Sequence, residues 1–310
     1  MRDRSDPDVL TTVLRHIRIT TSRLARVELG APWGVRVGPR DTVSLHHVLT
    51  GELWLACAAQ ETAVRAGDLV ILPHGTPYEL RHQPGAPVGD EPAWSEPATL
   101  SVRHRNGGPG AETVLLCAEL NLAGAARARL VRALPSIVYV PAGGLPGLDT
   151  LLDLLRQEVR AARPGAALVA ARLTELLLVQ GIRTELARPA APGSWRAALA
   201  DENIARALDA MYARPERPWT LVTLAKTAGL SRTTFVARFR ELVGETPFAH
   251  LTRWRMAHAQ ELLREEPATA LADVATRAGY ADEFAFSTAF RREVGVPPGV
   301  YRTAAATTST

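Results

Sequence analysis

Two sets of side chains, about 50 residues apart, carry groups that hydrogen-bond nucleic acid rather than groups that break covalent bonds. The first is Ser231, Arg232, Thr233, Thr234, Val236, Ala237 and Arg240; the second is Asp282, Glu283, Phe284, Ser287, Thr288 and Arg291. Hydroxyls and guanidinium groups on one short helix suit the phosphates and base edges of a duplex groove. A third set lies in the N-terminal half: Trp33, Arg36, Ser44, His46, Tyr78 and Cys117, the polar and aromatic lining of a small-molecule pocket. Catalytic groupings are missing, for the chain has no Gly-rich phosphate loop, no Ser/His/Asp order and no HExxH. No catalytic residue and no enzyme activity are expected.

The elements that must position the first two sets form a repeat. Ala225 and Gly229, then Ser231 and a helix ending in Phe239-Arg240, are matched by Ala275 and Gly279, then Asp282 and a helix ending in Phe290-Arg291. A short helix, a Gly turn and an amphipathic helix make a helix-turn-helix, and two copies imply readers for two segments of duplex DNA. Thr220 and Ser231 are expected N-caps for helices 221–228 and 232–243, with Thr269 and Asp282 repeating those roles. Helical spacing puts Phe235, Phe239 and Leu242 on a core stripe, leaving Thr233, Thr234, Val236, Ala237 and Arg240 outward. In the second copy Phe286 and Phe290 face inward, and Glu283, Phe284, Ser287, Thr288 and Arg291 outward. Pro247 opens a connecting helix through residue 264, about 27 Å long at 1.5 Å per residue.

These residues resemble the C-terminal DNA-binding domain of AraC/XylS-type transcriptional regulators. The resemblance rests on Leu224-Ala225, Gly229-Leu230-Ser231, Phe235, Phe239-Arg240, Gly244, Thr246-Pro247, Arg253 and Arg255, and continues with Val274-Ala275, Gly279-Tyr280, Phe286, Phe290-Arg291, Gly295, Pro298 and Tyr301-Arg302. It implies that the long helix holds two readers for successive major grooves on one DNA face. Thr288 stands where the family often has Arg, which implies fewer direct base contacts by the second reader, and Ala237 also lacks a long polar side chain. Pro297 replaces the family's usual Ser or Thr.

The N-terminal half reads as short strands, at 35–37, 43–49, 53–57, 69–72, 99–102 and 114–120, broken by Gly, Pro and Asp. Gly67 to Tyr78 (GDLVILPHGTPY) and His46 to Trp54 (HHVLTGELW) resemble the second and first cupin motifs. Anchored on Gly51, the family's metal-ligand positions fall at or near Gly38, Arg40 and Ser44, with Tyr78 as the fourth. None is His or Glu, so no metal and no cofactor are expected there. A register using His46 and Glu52 keeps two ligands but breaks the spacing to Gly51. Ser44 and His46, two apart on a strand, point the same way, into the barrel. His46 is read either as a hydrogen-bonded core histidine or as an effector contact, and Cys117 either as a buried structural cysteine or as a sensing thiol.

The expected class is α+β: an all-β cupin-like barrel over 1–145, a helical pair with linker over 146–193, an all-α domain with tandem helix-turn-helix over 194–302, and a disordered tail, 303–310. Leu, Val and Ala recur at helical spacing over 148–162 and 166–186, and Leu173, Leu176, Leu177 and Gln180 are either packed on the barrel or a dimer face. At 310 residues, 46% hydrophobic and 22% charged, the chain has the composition of an ordinary two-domain globular protein. A net charge of +4 permits nucleic-acid binding without requiring it. No run approaches the 18 or so apolar residues of a membrane span, and the N-terminus lacks a signal peptide's apolar core, so a cytoplasmic location is expected. Two cysteines, Cys57 and Cys117, argue against a disulfide framework there.

The leading reading is a ligand- or redox-responsive transcription factor. Its expected partners are double-stranded DNA, a small-molecule effector, a second copy of the chain and RNA polymerase. The alternatives are a cupin enzyme with an appended helical domain and a constitutive regulator whose barrel is a scaffold.

Overall fold

The computed structural model describes residues 9–91, 103–124, 126–144, 147–161, 163–188 and 195–308. The expected strand at 99–102 and residues 189–193 of the expected linker lie outside the described residues. Of the described residues, those of 19–122 and 134–188 form one compact unit and those of 9–18, 123–133 and 195–308 the other. Residues 9–18 and 123–133 thus group with the DNA-reading half, and the helical pair groups with the strands.

The first unit is built from β1 (Arg18–Gly30), β2 (Gly34–Val37), β3 (Val43–Thr50), β4 (Glu52–Cys57), β5 (Gln60–Arg65), β6 (Leu69–Leu72), β7 (Tyr78–Arg81), β8 (Gly89–Asp90), β9 (Arg103–Gly107), β10 (Glu112–Ala123) and β11 (Val138–Val140). They form two sheets, β11-β6-β3-β10-β1-β9 and β5-β4-β7-β2-β8. The expected single barrel is therefore two open sheets. Their shared core takes alternate residues of each strand, among them Val48, Leu53, Leu55, Val64, Val70, Leu72, Tyr78, Leu80 and Leu115. Strand β3 is buried from Val43 through Val48, on both of its faces. One face looks into the core. The other is covered from outside, where Arg156 of the helix Leu148–Ala161 reaches His47 Nε2 at 2.8 Å.

That helix and its partner, Ala166–Ala187, form the expected antiparallel pair. Gly181 sits directly over Ile71, and a Cβ there would fall 2.2 Å from Ile71 Cδ1, so the Ile71 side chain would have to shift to admit one. Leu173 and Leu177 are buried in the unit, as the packed alternative has it for those two residues. Of that set Leu176 is the outward residue, joined by Leu168 and Val169.

The second unit is helical. Its elements are Val9–Arg15, Arg127–Ala133, Trp195–Ala200, Glu202–Ala213, Leu221–Ala228, Arg232–Val243, Pro247–Glu265, Leu271–Arg277, Glu283–Val294 and Pro298–Thr308. In chain order with the pair above these are α1, α2, α5, α6, α7, α8, α9, α10, α11 and α12, the pair being α3 and α4. Buried Tyr212, Trp254, Phe235 and Phe239 centre one half of this unit; Phe286, Phe290, Val274 and Leu263 centre the other. Helix α12 runs on to Thr308, so most of the expected disordered tail is ordered, and the Thr303 hydroxyl donates to Gly299 O.

Candidate nucleic-acid interface and sensor site

Both readers are built by the same backbone device. Helix α7 opens on a capping box between Thr220 and Thr223 and ends at Gly229, whose φ of 68° is left-handed. The Gly229 amide donates to Lys226 O and the Leu230 amide to Ala225 O, at 3.0 and 2.9 Å. In the second copy the Gly279 amide donates to Thr276 O and the Tyr280 amide to Ala275 O, both at 2.9 Å, with φ of 78° at Gly279. This pairing of bonds closes each first helix and fixes the turn into the second.

Helix α8 then starts on Ser231, whose hydroxyl accepts from the Thr234 amide at 3.2 Å. Helix α11 starts on Asp282, whose carboxylate accepts from the Ala285 amide at 2.7 Å. Thr269 does not repeat the cap expected of it: Ala270 takes that position without a side-chain bond, and the Thr269 hydroxyl donates to Glu266. Both second helices stop at left-handed glycines, Gly244 and Gly295, whose amides donate to Arg240 O and Arg291 O. Arg240 and Arg291 thus hold equivalent places.

The helix faces follow the amphipathic pattern. Phe235, Phe239, Phe286 and Phe290 are fully buried. Ser231, Arg232, Thr233, Thr234, Ala237 and Arg240 are exposed, as are Asp282, Glu283, Phe284, Thr288 and Arg291. Val236 and Ser287 are only half-exposed, and Leu242, expected in the core, is half-buried. Phe284 is 84% exposed, an aromatic ring with no packing role in the unit. Arg255 on α9 supports the second turn: its guanidinium donates to Pro215 O and Arg217 O, each at 2.8 Å, and lies 5.8 Å from the Tyr280 ring centre.

The N-terminal set separates into three. Ser44, His46, Tyr78 and Cys117 come together as a buried relay. His46 Nε2 is 2.8 Å from the Tyr78 hydroxyl and Nδ1 is 3.2 Å from Cys117 Sγ, while the Ser44 side chain lies close to Tyr78. Cys117 lies directly opposite His46 across the β10–β3 ladder, whereas Tyr78 belongs to the other sheet, so His46 ties the two sheets together. Arg36 is not in this group: its side chain is 53% exposed and pairs with Glu79 at 3.0 Å. Trp33 is not there either, for it is buried in apolar core with its ring tilted against His82. Spacing alone places neither, because strand β2 pairs with β7 and turns Arg36 to the outside.

Electrostatics keep the relay uncharged. Burial, and then the Arg40 guanidinium, lower His46 to about 4. Burial pushes the Cys117 thiol up to about 12, with Glu91 adding to the shift, and burial likewise raises Tyr78 above its ordinary value. Cys117 is therefore a thiol rather than a reactive thiolate at neutral pH. Arg40, which the sequence marks only as a misfit in the metal motif, pairs with both Glu91 and Glu119 beside the relay. A cupin metal does not fit here: both His46 nitrogens are engaged, the nearby carboxylates face a guanidinium, and Arg40 itself is a cation.

Tyr78 also borders an open cleft of about 420 Å³ with Arg36, Cys57, Pro77, Glu79 and Arg81. Arg36 and Tyr78 thus meet at this cleft, and not in the interior.

A family model described as a cupin matches residues 8–187, and one described as a helix-turn-helix domain matches 224–304. A putative AraC-like transcription regulator of Streptomyces lividans is 34% identical over 305 residues, covering 95% of this chain and 96% of that protein. The chain belongs to the AraC-type transcription regulators. A second putative AraC-like regulator, of Streptomyces antibioticus, is 32% identical over 95% of this chain and 97% of its own length. The HTH-type transcriptional regulator AlkR of Acinetobacter baylyi is 27% identical over 95% and 99%. The regulator's two parts, a β-rich cupin-type domain and a helical DNA-binding domain, match the order read from its sequence. Among its described residues no helix is long and apolar enough to cross a membrane.

Proposed function

We propose that the exposed faces of α8 and α11 read two major-groove segments and that a small molecule in the Tyr78 cleft controls the outcome. The observation that carries the second part is the double placement of Tyr78. It is one of the residues that line the cleft, and its hydroxyl anchors the buried His46–Cys117 relay that joins the sheets. A ligand moving Tyr78 by an ångström breaks a buried hydrogen bond, which gives two states of the sensor with different ligand affinity. The cleft volume suits a molecule of ordinary metabolite size, with apolar contacts at Cys57 and Pro77 and charge at Arg36, Glu79 and Arg81.

The misfit of the cupin ligand positions supports a role without catalysis, and the raised thiol of Cys117 favours a bound effector over a redox signal. The outward apolar residues Leu168, Val169 and Leu176 of α4 support a homodimer formed along that helix. RNA polymerase is the remaining partner in this account, and the cytoplasm is its place.

The test is a thermal-shift screen of metabolite mixtures against the full-length protein, repeated on Tyr78→Phe and Arg36→Ala. A molecule that stabilises the wild type, changes its DNA binding and loses both effects in the variants supports the cleft. DNA binding and promoter output that no mixture alters would make the protein a constitutive regulator.

A further inference from the structure

The N-terminal segment supplies a side chain to the helix that joins the two readers. His16, just past α1, lies edge-on to His258 of α9, ring centres 5.7 Å apart and planes at 84°. Glu261 sits one turn beyond His258 on the same face of α9. One donor atom from each of the three lies within 4.8 Å of the others.

Several details show that this is more than a chance cluster. His258 Nδ1 is buried without a hydrogen-bond partner, and the nearest Glu261 oxygen is 4.0 Å away, beyond hydrogen-bond reach. A buried ring nitrogen facing a carboxylate across that gap leaves room for a cation between them. The backbone carbonyl of Tyr212 lies near the His16 ring. Gly124 passes close over the group: a Cβ there would lie 3.0 Å from Glu261 Oε1 and 2.2 Å from His16 O.

We propose that His16, His258 and Glu261 bind a divalent transition-metal ion of the zinc and cobalt class, which pins the N-terminal segment to helix α9. Two imidazoles and a carboxylate are a borderline-soft set suited to such ions and poor for magnesium or calcium. Bonds of about 2.0–2.2 Å need donors roughly 3–4 Å apart, so the trio closes by about 1 Å through side-chain rotation. Three protein ligands leave a fourth position for water. The site uses no residue of the sensor cleft and stands independently of the effector proposal.

The test is titration of metal-free full-length protein with Co2+, read by visible absorption, and with Zn2+, read by calorimetry. One equivalent is expected, with cobalt bands of a nitrogen and oxygen site. His16→Gln, His258→Gln and Glu261→Gln should each weaken binding at least tenfold, while His74→Gln changes nothing. Hydrogen exchange should show 9–18 more protected in the metal-bound wild type. Absence of one-equivalent binding in the wild type overturns the site. So does binding that survives all three substitutions in folded protein. If one variant fails to fold, the other two and the wild-type stoichiometry still decide.

Discussion

His46 Nε2 stands 2.8 Å from the Tyr78 hydroxyl, a bond that crosses from one sheet of the sensor unit to the other. Removing the hydroxyl leaves a buried ring nitrogen without its partner. Tyr78→Phe should therefore cost about 1–3 kcal/mol, measured as a drop in the urea midpoint of the sensor transition. Unchanged stability would mean that the relay does not join the sheets.

Acid should weaken the same unit. His46 and His47 titrate near 4 when folded, against an ordinary value of 6.5. Between those values the unfolded chain holds more protons, so folding stability is fully present above pH 6.5 and falls as pH drops towards 4. At about 1.4 kcal/mol per pKa unit, each histidine contributes on the order of 3 kcal/mol to that loss. Denaturation curves at pH 7.5, 6 and 5 measure it, and His46→Gln should flatten the dependence. An equal slope in the variant would contradict the assignment of His46 as a buried neutral ring.

On α8, Arg232 and Arg240 are placed to hold phosphates and Thr233 to meet base edges. Arg232→Ala and Arg240→Ala should each weaken binding to all sequences and lower the salt dependence by about 0.9 in log–log slope. Thr233→Ala should instead change the preferred base at one or two positions. Anisotropy titrations across salt, with selection of preferred sequences, separate the two effects. If Thr233→Ala selects the wild-type site, the facing of α8 is wrong.

Phe284 has no structural task, being 84% exposed at the start of α11. Phe284→Ala should leave the melting temperature unchanged and reduce specific affinity several-fold, through loss of apolar contact with a thymine methyl. A lowered melting temperature would show that its ring is a packing residue after all.

Gly279, in the second turn, and Gly244, at the end of α8, offer a contrast between two left-handed glycines. Both have left-handed backbone, but a Cβ at 279 would meet Arg255 Nη2 and Pro215 O at 2.6 Å, while nothing lies within 4 Å of one at 244. Gly244→Ala should cost about 1–2 kcal/mol from backbone conformation alone, and Gly279→Ala clearly more. Equal costs, measured by thermal unfolding, would remove the close packing of Arg255 on the second turn.

What the sequence reveals about this fold depends on how local each signal is. The ranges 221–228 and 232–243 are read correctly because Thr220, Ser231 and the left-handed glycines act within a few residues of themselves. Helices α1 and α2, seven residues each, are too short to show a helical repeat along the chain. Thr269 looks like Thr220 but turns its hydroxyl to Glu266 instead. In the sensor, the period-2 rule puts Ser44 and His46 together correctly. It says nothing of Arg40 with Glu91 and Glu119, which depends on pairing between strands far apart in sequence. His16 and His258, 242 residues apart, are beyond any pattern along the chain.

The central claim is that two equivalent readers on one chain recognise two segments of DNA. The most direct test is sequencing of genomic fragments captured by the purified full-length protein at near-physiological salt. Enriched fragments should share two short motifs about one helical turn, 10 base pairs, apart, and Thr233→Ala should blur one motif while Phe284→Ala blurs the other. A single enriched motif touched by only one of the substitutions, or capture without any shared sequence, would contradict it.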